Sequence, residues 1–189
     1  MLRVVTWNIH RGRSALGRER LRAMRDMLRA LAPDVALIQE ALGQGERDQA
    51  QELAEGWAEA VFAPVRTRGR GVQGNAVLTR LAVRGWDALD ASTNRIERRA
   101  LIHVELGWHG APLHVVNMHL GLTHGGRALQ VARLGALIEG WVPAAAPLVV
   151  GGDSNDWRGG AALAFAACGL SEAHAALHGR AACTYPAWL

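Results

Sequence analysis

The sequence contains no lysine, and all 21 of its basic residues are arginine. This absence excludes a Walker-type phosphate loop, a Schiff-base enzyme and a Ser-Lys nucleophile, since each depends on a lysine amine. The net charge is +4, and guanidinium groups suit phosphate ligands. Coding bias in a GC-rich genome explains the arginine excess together with the abundant alanine and glycine, and we favour that explanation.

Cysteine and long apolar runs are also scarce. The two cysteines, Cys168 and Cys183, are too few for a disulfide framework, and we expect both to be buried as small hydrophobes. No apolar run approaches the roughly 18 residues of a membrane-spanning helix. We expect no signal peptide, because no charged-then-apolar segment is visible before the strand expected from Leu2. These features predict a single cytoplasmic domain over residues 1–189.

Four short polar motifs, in contrast, each close a brief apolar run that is rich in β-branched residues. They are Trp7-Asn8, Gln39-Glu40, Asn117-Met118-His119 and Asp153-Ser154-Asn155. Runs of this length, bounded by glycine, proline or charge, predict buried strands. Side chains at the ends of several strands can converge on one rim, where ligands bind. The carboxylates, amides and imidazole of these motifs would there hold a hard cation and a phosphate.

Taken in order, the segments W-N-I, Q-E, G-N-A-V-L-T-R, N-M-H-L and G-D-x-N resemble the endonuclease/exonuclease/phosphatase superfamily, which has the deoxyribonuclease I-like fold. The resemblance runs from Met1 to about Tyr185. Each motif alone is weak, but their shared order is specific. The resemblance implies an α+β protein, a four-layer α/β/β/α sandwich of two packed mixed sheets. It also implies a hydrolase of phosphate esters.

The chain departs from the family pattern at two places. Ser154 replaces the aromatic residue that usually stands between the family's Asp and Asn, which is a packing change. The chain also ends at Leu189, before the family's R-I/L-D-x-I strand and its S-D-H motif. We therefore expect the C-terminal strands to be missing and a sheet edge to be open. An Asp and an Asp-His pair of the family's site then have no counterpart.

Glu40 is the first candidate metal ligand, because a carboxylate at the end of a buried run is costly unless a cation compensates it. Mg²⁺, or Mn²⁺ in its place, takes oxygen ligands and needs only one or two carboxylates. Asn8 can add a carbonyl oxygen or orient a water, and the resemblance implies the same assignment. The alternative is that Glu40 faces solvent or pairs with an arginine.

Asp153, Asn155 and His119 are the candidate catalytic residues. Asp153 would orient or deprotonate the attacking water, Asn155 would donate to the developing phosphorane oxygens, and His119 would bind a non-bridging phosphate oxygen. Asn75 could fix the His119 ring or touch the phosphate, and Arg99 is the candidate phosphate contact. The alternatives are an Asx turn for Asp153 and Asn155 and a structural role for His119.

Further arginines and tryptophans are candidates for the approach to the site. The arginines, in a glycine-rich segment and before a strand, are Arg66, Arg68, Arg70, Arg95 and Arg98. They would make an electropositive path for a phosphodiester if both segments reach the rim, but we expect most of them to be solvated. Trp157 and Trp188, which each follow a loop, are the candidates for stacking.

Hydrophobic periodicity predicts helices over 17–32, 46–60, 126–140 and 160–169. The positions expected to be buried are Leu21, Met24, Leu28 and Leu31 in the first helix, and Leu129, Leu134, Leu137 and Ile138 in the third. A strand over 100–106 should turn through Gly110-Ala111-Pro112 into the next strand, as an antiparallel hairpin.

The sequence thus predicts a divalent-metal-dependent phosphoesterase that hydrolyses a phosphodiester by in-line attack of an activated water. No covalent intermediate is expected, because no activated Ser, Cys or Lys is evident. The partner would be a phosphate-ester substrate, with nucleic acid and phospholipid-related diesters as candidates. The alternative is a truncated, non-catalytic fragment or a phosphate-binding pseudoenzyme of the same fold. The substrate and the oligomeric state stay open.

Overall fold

The computed structural model describes residues 1–44, 47–69, 71–157, 159–182 and 184. In chain order these residues form β1 (Val4–Asn8), α1 (Leu21–Leu31), β2 (Val35–Gln44), β3 (Arg47–Asp48), α2 (Gln49–Ala54), β4 (Glu59–Arg68), β5 (Gly71–Thr79), β6 (Val83–Asp90), β7 (Ala100–Trp108), β8 (Ala111–His119), α3 (His124–Trp141), β9 (Leu148–Asp153), α4 (Ala162–Ala167) and α5 (Ala173–His178). None of the helices in this described part has the length and apolar character needed to span a membrane.

The strands form two mixed sheets. One has the order β1-β2-β5-β4, with β3 paired to β2, and the other has the order β6-β7-β8-β9. β1 pairs with β2, and β8 with β9, in parallel, whereas the other pairs are antiparallel. A helix joins each parallel pair, α1 in the first sheet and α3 in the second, because parallel strands need a long crossover connection.

Three apolar cores separate four layers. Leu28 of α1 packs with Ile38 on the outer face of the first sheet, where α2 also lies. Leu37 and Ile102 belong to the core between the two sheets. Leu134 of α3 packs on the outer face of the second sheet. Successive residues of a strand point to opposite faces, so β2 contributes to two cores at once. The predicted α/β/β/α sandwich of two mixed sheets is confirmed.

Helix α1 buries Leu21, Met24 and Leu28, as its periodicity predicts, but Leu31 is 42% exposed. The helix begins at Leu21 rather than at residue 17. It ends after Leu31 because Ala32 takes a left-handed φ of 46° and its N–H caps the last helical carbonyls. The prediction for Leu31 is wrong because this residue falls in the last turn, where the chain leaves the helix.

Helix α3 is longer than the prediction over 126–140, since Thr123 caps its first turn by accepting from Gly126 N. Leu134 and Leu137 are buried, but Leu129 is 59% exposed. The prediction for Leu129 is wrong because Arg127, Gln130 and Val131 take the inward-facing positions of the first turns instead.

The remaining helices are shorter than predicted. Asp48 caps α2, which starts at Gln49 and ends before residues 59 and 60 enter β4, while residue 46 lies outside the described part. In place of the helix over 160–169, α4 spans Ala162–Ala167. Cys168 follows α4 and is half-buried, with its thiol 3.7 Å from the Val131 carbonyl. Cys183 lies outside the described residues.

β7 and β8 form the predicted antiparallel hairpin, with Trp108 opposite Ala111. His109 and Gly110 make the two-residue turn, and their φ values of 49° and 82° are both positive. Positive φ at both central residues is the requirement of a type I′ turn, which matches the twist of the flanking strands. Strand β7 extends past the predicted residue 106 to Trp108.

A buried pair of amide side chains joins the two sheets. Asn117 of β8 donates through Nδ2 to the carbonyl oxygens of Ile38 at 3.0 Å and Ala76 at 2.8 Å. Its Oδ1 accepts from Gln39 Nε2 at 2.7 Å, and the same nitrogen is 3.2 Å from Thr6 Oγ1. Asn117 and Gln39 are both fully buried. The Asn117 amide is thus satisfied at both its oxygen and its nitrogen, as buried polar groups require, whereas Gln39 Oε1 has no partner among the described residues.

A pair of buried histidines lies between the second sheet and the end of α3. His103 and His114 stack with their planes 10° apart, and His103 Nε2 is 2.8 Å from His114 Nδ1. The Trp141 ring, from the last residue of α3, is 5.8 Å from His103. Burial and then His114 lower the pKa of His103, while Glu105 and Asp87 oppose the shift. A hydrogen bond between two imidazoles needs one lone pair, so at least one ring is neutral.

We predict that Asn117→Ala lowers the free energy of unfolding by about 2 to 4 kcal/mol, because it leaves two buried carbonyls without a donor. Urea denaturation followed by circular dichroism measures the change. Asn94→Ala is the matched control in an exposed loop, where the loss should stay below about 1 kcal/mol. Equal losses of unfolding free energy in the two variants would mean that the buried Asn117 amide stabilises the fold no more than an exposed loop residue does.

The histidine pair predicts that the protein loses stability in mild acid. The pKa of His103 lies below its ordinary value of 6.5, so the unfolded chain binds more protons as the pH falls past that value. The free energy of unfolding should therefore become smaller as the pH is lowered from about 7.5 to about 5. His103→Gln keeps a hydrogen-bond partner for His114 but cannot titrate, so its decrease should be smaller. An identical pH dependence in both proteins would contradict the assignment.

Candidate active site

The carboxyl ends of the two parallel strand pairs meet at one rim. In the first sheet Asn8 ends β1 beside Gln39 of β2, and in the second His119 ends β8 beside Asp153 of β9. β1 and β9 are neighbours across the sandwich, so Asn8 Nδ2 donates to Asp153 Oδ2 over 2.8 Å. Ligands of α/β sheets bind at the carboxyl ends of strands, and the predicted convergence of the motifs occurs at that place.

A β-bulge places Glu40 at this rim. The register of β2 against β5 slips between Ile38 and Ala41, and within the slip Glu40 takes a left-handed φ of 61°. Ile38 and Ala41 both belong to the core under the helices, although an odd spacing puts residues of a regular strand on opposite faces. The extra residue thus turns Glu40 toward the rim, where Oε1 is 3.5 Å from Asn8 Nδ2.

Backbone strain is concentrated at the same rim. Three of the six described non-glycine residues with positive φ contact the rim residues Asn8 or Asp153: His10, Glu40 and Asn155. Asn155 N donates to Asp153 Oδ1 at 3.0 Å, which is an Asx turn, and Asn155 Nδ2 donates to the Leu120 carbonyl at 2.8 Å. Such conformations cost about 1 to 3 kcal/mol each and persist only where the surroundings hold them, as at binding sites.

His119 is a buried and neutral group of the site. It is 5% exposed, and its Nε2 lies 3.8 Å from Asp153 Oδ2. Burial and then the nearby Arg99 cation lower the pKa of His119 to about 4, against the opposing carboxylates of Asp153 and Glu40. The ring is therefore uncharged at neutral pH. Its Nε2 does not form an ion pair with Asp153, and the distance between them is too long for a hydrogen bond.

A small cleft beside His119 is lined by several of the predicted phosphate contacts. Its lining includes Arg66, Asn75, Arg98 and Arg99. Asn75 is 3% exposed and donates to the Ala100 carbonyl at 3.2 Å rather than to the His119 ring. The structure therefore brings Asn75 to the cleft without giving it the ring-orienting contact that the sequence left open.

Arg99 is fixed in the wall of this cleft. Its Nε donates to the Leu120 carbonyl at 3.0 Å, and its guanidinium pairs with Glu97 at 3.2 Å. Burial lowers the pKa of Arg99, with Glu97 opposing, but a guanidinium stays protonated in proteins. A positive charge therefore stands next to His119.

The other arginines divide between the cleft and solvent. Arg66 reaches the cleft, where Gln73 Oε1 accepts from its guanidinium at 3.0 Å, so it is one of the candidate arginines that does approach the site. Arg98 borders the cleft and pairs with Asp90. Arg95 is exposed. The Arg68 side chain, Arg70 and Trp188 lie outside the described residues.

The rim offers oxygen donors to a metal ion. Among the described residues no group of three or more His, Cys, Asp or Glu side chains is arranged as a ready metal site. Two oxygen groups of the rim could serve as metal ligands, the Glu40 carboxylate and Asn8 Oδ1. Asn8 Oδ1 accepts a hydrogen bond from His10 N at 3.1 Å and keeps a second lone pair for a metal ion. A ligand set with few carboxylates and no sulfur suits Mg²⁺ or Mn²⁺ better than zinc, because these ions retain several bound waters.

Sequence reasoning missed two contributors to this site. Gln39 and Asn117 were recognised as strand-end polar residues, but their pairing beneath the rim was not foreseen. Arg66 was listed among the candidate arginines, but nothing in the sequence singled it out from those expected to be solvated. Its signal is the strand pairing, since β4 and β5 form a hairpin around the glycine-rich segment that sets Arg66 opposite Gln73, near Asn75.

Comparisons with known proteins agree with this fold. The crystal structure of an endonuclease/exonuclease/phosphatase from Beutenbergia cavernae superposes with a TM-score of 0.69 at 24% identity, over 82% of this chain and 47% of that one. D. rerio TDP2 complexed with a single-strand DNA product superposes with a TM-score of 0.67 at 19% identity, over 86% of this chain and 64% of that one. This chain thus spans less than two thirds of both solved proteins.

Sequence comparison supplies the family. The uncharacterized protein YbhP of Escherichia coli K12 is 30% identical over 200 residues, which cover 97% of this chain and 79% of that protein. The profile of the endonuclease/exonuclease/phosphatase family matches residues 5–188, from the first strand through all the motifs of the rim. With strand ends, polar motifs and profile in agreement, this chain belongs to the endonuclease/exonuclease/phosphatase family.

Proposed function

We propose that this protein is a divalent-metal-dependent phosphoesterase that hydrolyses a phosphodiester by in-line attack of water. The observation that carries the proposal is the Asn8 amide, which is 2.8 Å from Asp153 and 3.5 Å from Glu40 and so holds carboxylates of both sheets together. Two carboxylates next to a buried imidazole lower the stability of the fold, because charged groups lose hydration there. Their presence is explained better by a functional role than by a structural one. Membership of a family of nucleases and phosphatases supports the hydrolytic class.

Glu40 and Asn8 would hold the metal ion, because they carry the hard oxygen donors at the rim. When bound, the ion would supply Lewis acidity and neutralise charge on the phosphate and on the leaving oxygen. Asn8 has a second task, since its Nδ2 donates to Asp153 and so fixes that carboxylate relative to Glu40.

Asp153 would orient the attacking water and accept its proton. The carboxylate is 29% exposed, so a water can reach it, and each of its oxygens already accepts one hydrogen bond that fixes its plane. Asn155 uses one amide hydrogen on the Leu120 carbonyl. Its second amide hydrogen would donate to a phosphorane oxygen in the transition state.

His119 would donate its N–H to a non-bridging phosphate oxygen. Because its pKa is about 4, the ring keeps a single donor and no charge across the physiological range. Arg99 would place its positive charge beside the same phosphate. Asn75, which lines the same cleft, would contact that phosphate through its side-chain amide. Charge stabilisation by fixed groups of this kind acts where negative charge develops.

A diester that carries further phosphates suits this site. Arg66 and Arg98 line the same cleft as Arg99 and add further guanidinium groups to it, of which Arg98 also pairs with Asp90. Nucleic acids gain affinity from such arginines by counterion release. D. rerio TDP2, which shares the fold, has been crystallised with a single-strand DNA product. These observations support nucleic acid over a small phosphomonoester.

We expect the protein to hydrolyse bis-p-nitrophenyl phosphate with Mg²⁺ or Mn²⁺ and to lose this activity in EDTA. Asp153→Asn should reduce turnover by about 10²- to 10⁴-fold, the range for a positioned proton acceptor. Asp26→Asn, the same change at an exposed position of α1, should leave turnover within about twofold. Absence of turnover from a folded sample would instead favour the phosphate-binding pseudoenzyme.

Gly152 sets the position of Asp153 and allows no side chain. Its φ is 142°, and a Cβ at this position would stand 1.8 Å from the Met118 carbonyl oxygen on the neighbouring strand. Met118 and Gly152 are register partners in the parallel pair β8–β9. Any larger residue must therefore push the two strands apart directly before the proposed proton acceptor.

Gly152→Ala should accordingly cost at least about 2 kcal/mol of unfolding free energy and abolish metal-dependent turnover. Gly140→Ala is the matched control, because a Cβ there meets nothing within 4 Å and the residue lies inside α3. That control should gain roughly 0.5 to 1 kcal/mol from the lower backbone entropy of alanine. Thermal melts and the same turnover assay measure both; similar behaviour of the two variants would contradict the role of Gly152.

A further inference from the structure

The net positive charge of the protein is concentrated in one short segment. Residues 11–22, the basic segment, contain five arginines and one glutamate, so their net charge of +4 equals that of the entire chain. The basic and acidic residues of the remaining sequence therefore balance. The five arginines are Arg11, Arg13, Arg18, Arg20 and Arg22. A surface on which one sign of charge is gathered attracts ligands of the opposite sign.

The charge of the basic segment is not neutralised by its neighbours. Four of its arginines are exposed, and the fifth, Arg11, is half-buried. Within the part of the chain that the structure describes, no carboxylate forms an ion pair with any of the five. Arg20 precedes α1 and Arg22 lies in its first turn, where cations oppose the helix dipole and no acidic residue compensates them. The arrangement thus costs stability, which favours a role in binding.

A closed loop of the basic segment presents an exposed leucine between the arginines. Ser14 N donates to the Arg18 carbonyl, and Gly17 N donates to the Ser14 carbonyl, each at 2.8 Å. The Arg13 guanidinium donates to the Gly17 carbonyl at 3.1 Å. Leu16, at the turn of this loop, is 82% exposed. An aliphatic side chain held in water with cations on both sides suits a surface that offers negative charge above hydrocarbon.

The basic segment adjoins the candidate active site. His10 N donates to Asn8 Oδ1 at 3.1 Å at the rim, directly before the segment begins. Gln49 of α2 donates through Nε2 to the Arg11 carbonyl at 3.0 Å, and Arg20 N donates to the Gly12 carbonyl at 2.8 Å. These bonds join the basic segment to the body of the protein beside the rim.

We propose that the basic segment docks the protein on an anionic lipid bilayer, with its arginines at the phosphate headgroups and Leu16 in the apolar boundary beneath them. The inference goes beyond the proposed function and does not depend on it. Clusters of roughly four to eight basic residues are attracted to anionic leaflets, and an apolar contact strengthens such attachment. Nucleic acid also presents phosphates, but its backbone has no apolar layer that could receive Leu16.

Vesicle co-sedimentation tests the docking without catalysis. The protein should pellet with vesicles of phosphatidylcholine mixed with phosphatidylglycerol and stay in the supernatant with vesicles of phosphatidylcholine alone. The double variant Arg18→Gln, Arg20→Gln should bind the anionic vesicles about 25-fold more weakly, because each arginine at such a surface contributes roughly a fivefold factor.

The double variant Arg84→Gln, Arg180→Gln is the matched control, since it removes the same charge from exposed positions far along the chain. Its binding should stay within about twofold, because distant charges are screened. Equal binding of the unchanged protein to both kinds of vesicle would overturn the proposal, and so would equal losses in the two double variants.

Leu16→Ala distinguishes a lipid surface from nucleic acid. It should weaken vesicle binding about fivefold through the lost apolar contact. Its binding to a single-stranded oligonucleotide, measured by fluorescence anisotropy, should not change. Leu163→Ala, at a leucine that is 86% exposed in α4, should alter neither. Oligonucleotide binding that depends on Arg18 and Arg20, without any vesicle binding, would overturn the proposal in favour of a nucleic-acid surface.

Turnover separates this inference from the proposed function. Leu16→Ala and the double variant of Arg18 and Arg20 should hydrolyse bis-p-nitrophenyl phosphate within about twofold of the unchanged protein, because these side chains are not part of the rim. Turnover without binding to anionic vesicles would overturn the docking alone. Binding to anionic vesicles without turnover would support the docking and contradict the hydrolase.

Discussion

The hydrogen bond between the buried amides of Gln39 and Asn117 is the interaction on which this architecture depends. It crosses the gap between the two sheets together with the bonds from Asn117 to the Ile38 and Ala76 carbonyls, and it is surrounded by apolar packing, which is non-directional. Apolar packing permits two sheets to slide over each other by small steps, whereas the buried Asn117 amide keeps its three hydrogen bonds to the first sheet in one arrangement only. Because the strands of Gln39 and Asn117 also carry Glu40 and His119, the amide pair fixes the two halves of the rim relative to each other.

The polar rim depends on two departures from regular strand geometry. At Glu40 the inserted residue of a bulge brings a carboxylate out of a strand that is otherwise buried on both faces. At Gly152 the two strands approach so closely that a methyl group cannot be accommodated, and Asp153 follows directly. In both places a local cost in backbone conformation is offset by the surrounding cores, which keep a strained residue in one position.

Much of this organisation could be predicted from the sequence. The strand-end positions of Asn8, His119 and Asp153 follow from apolar runs that stop abruptly, whereas Glu40, predicted at a strand end, lies within β2, which continues to Gln44. The resemblance supplied the four layers. The bulge could not be foreseen, because periodicity treats each strand as regular. The exposure of Leu129 was missed because Arg127 takes a buried position in the first turns of α3, where it pairs with Asp156, a partner distant in sequence.

The Leu120 carbonyl oxygen has a consequence for how this site can evolve. Both of its lone pairs are committed, one to Arg99 and one to Asn155. A replacement that alters either side chain also frees the acceptor of the other, so the two cannot drift independently. Natural variation in this part of the rim should therefore accumulate away from the shared oxygen, while Arg99 and Asn155 change together or not at all.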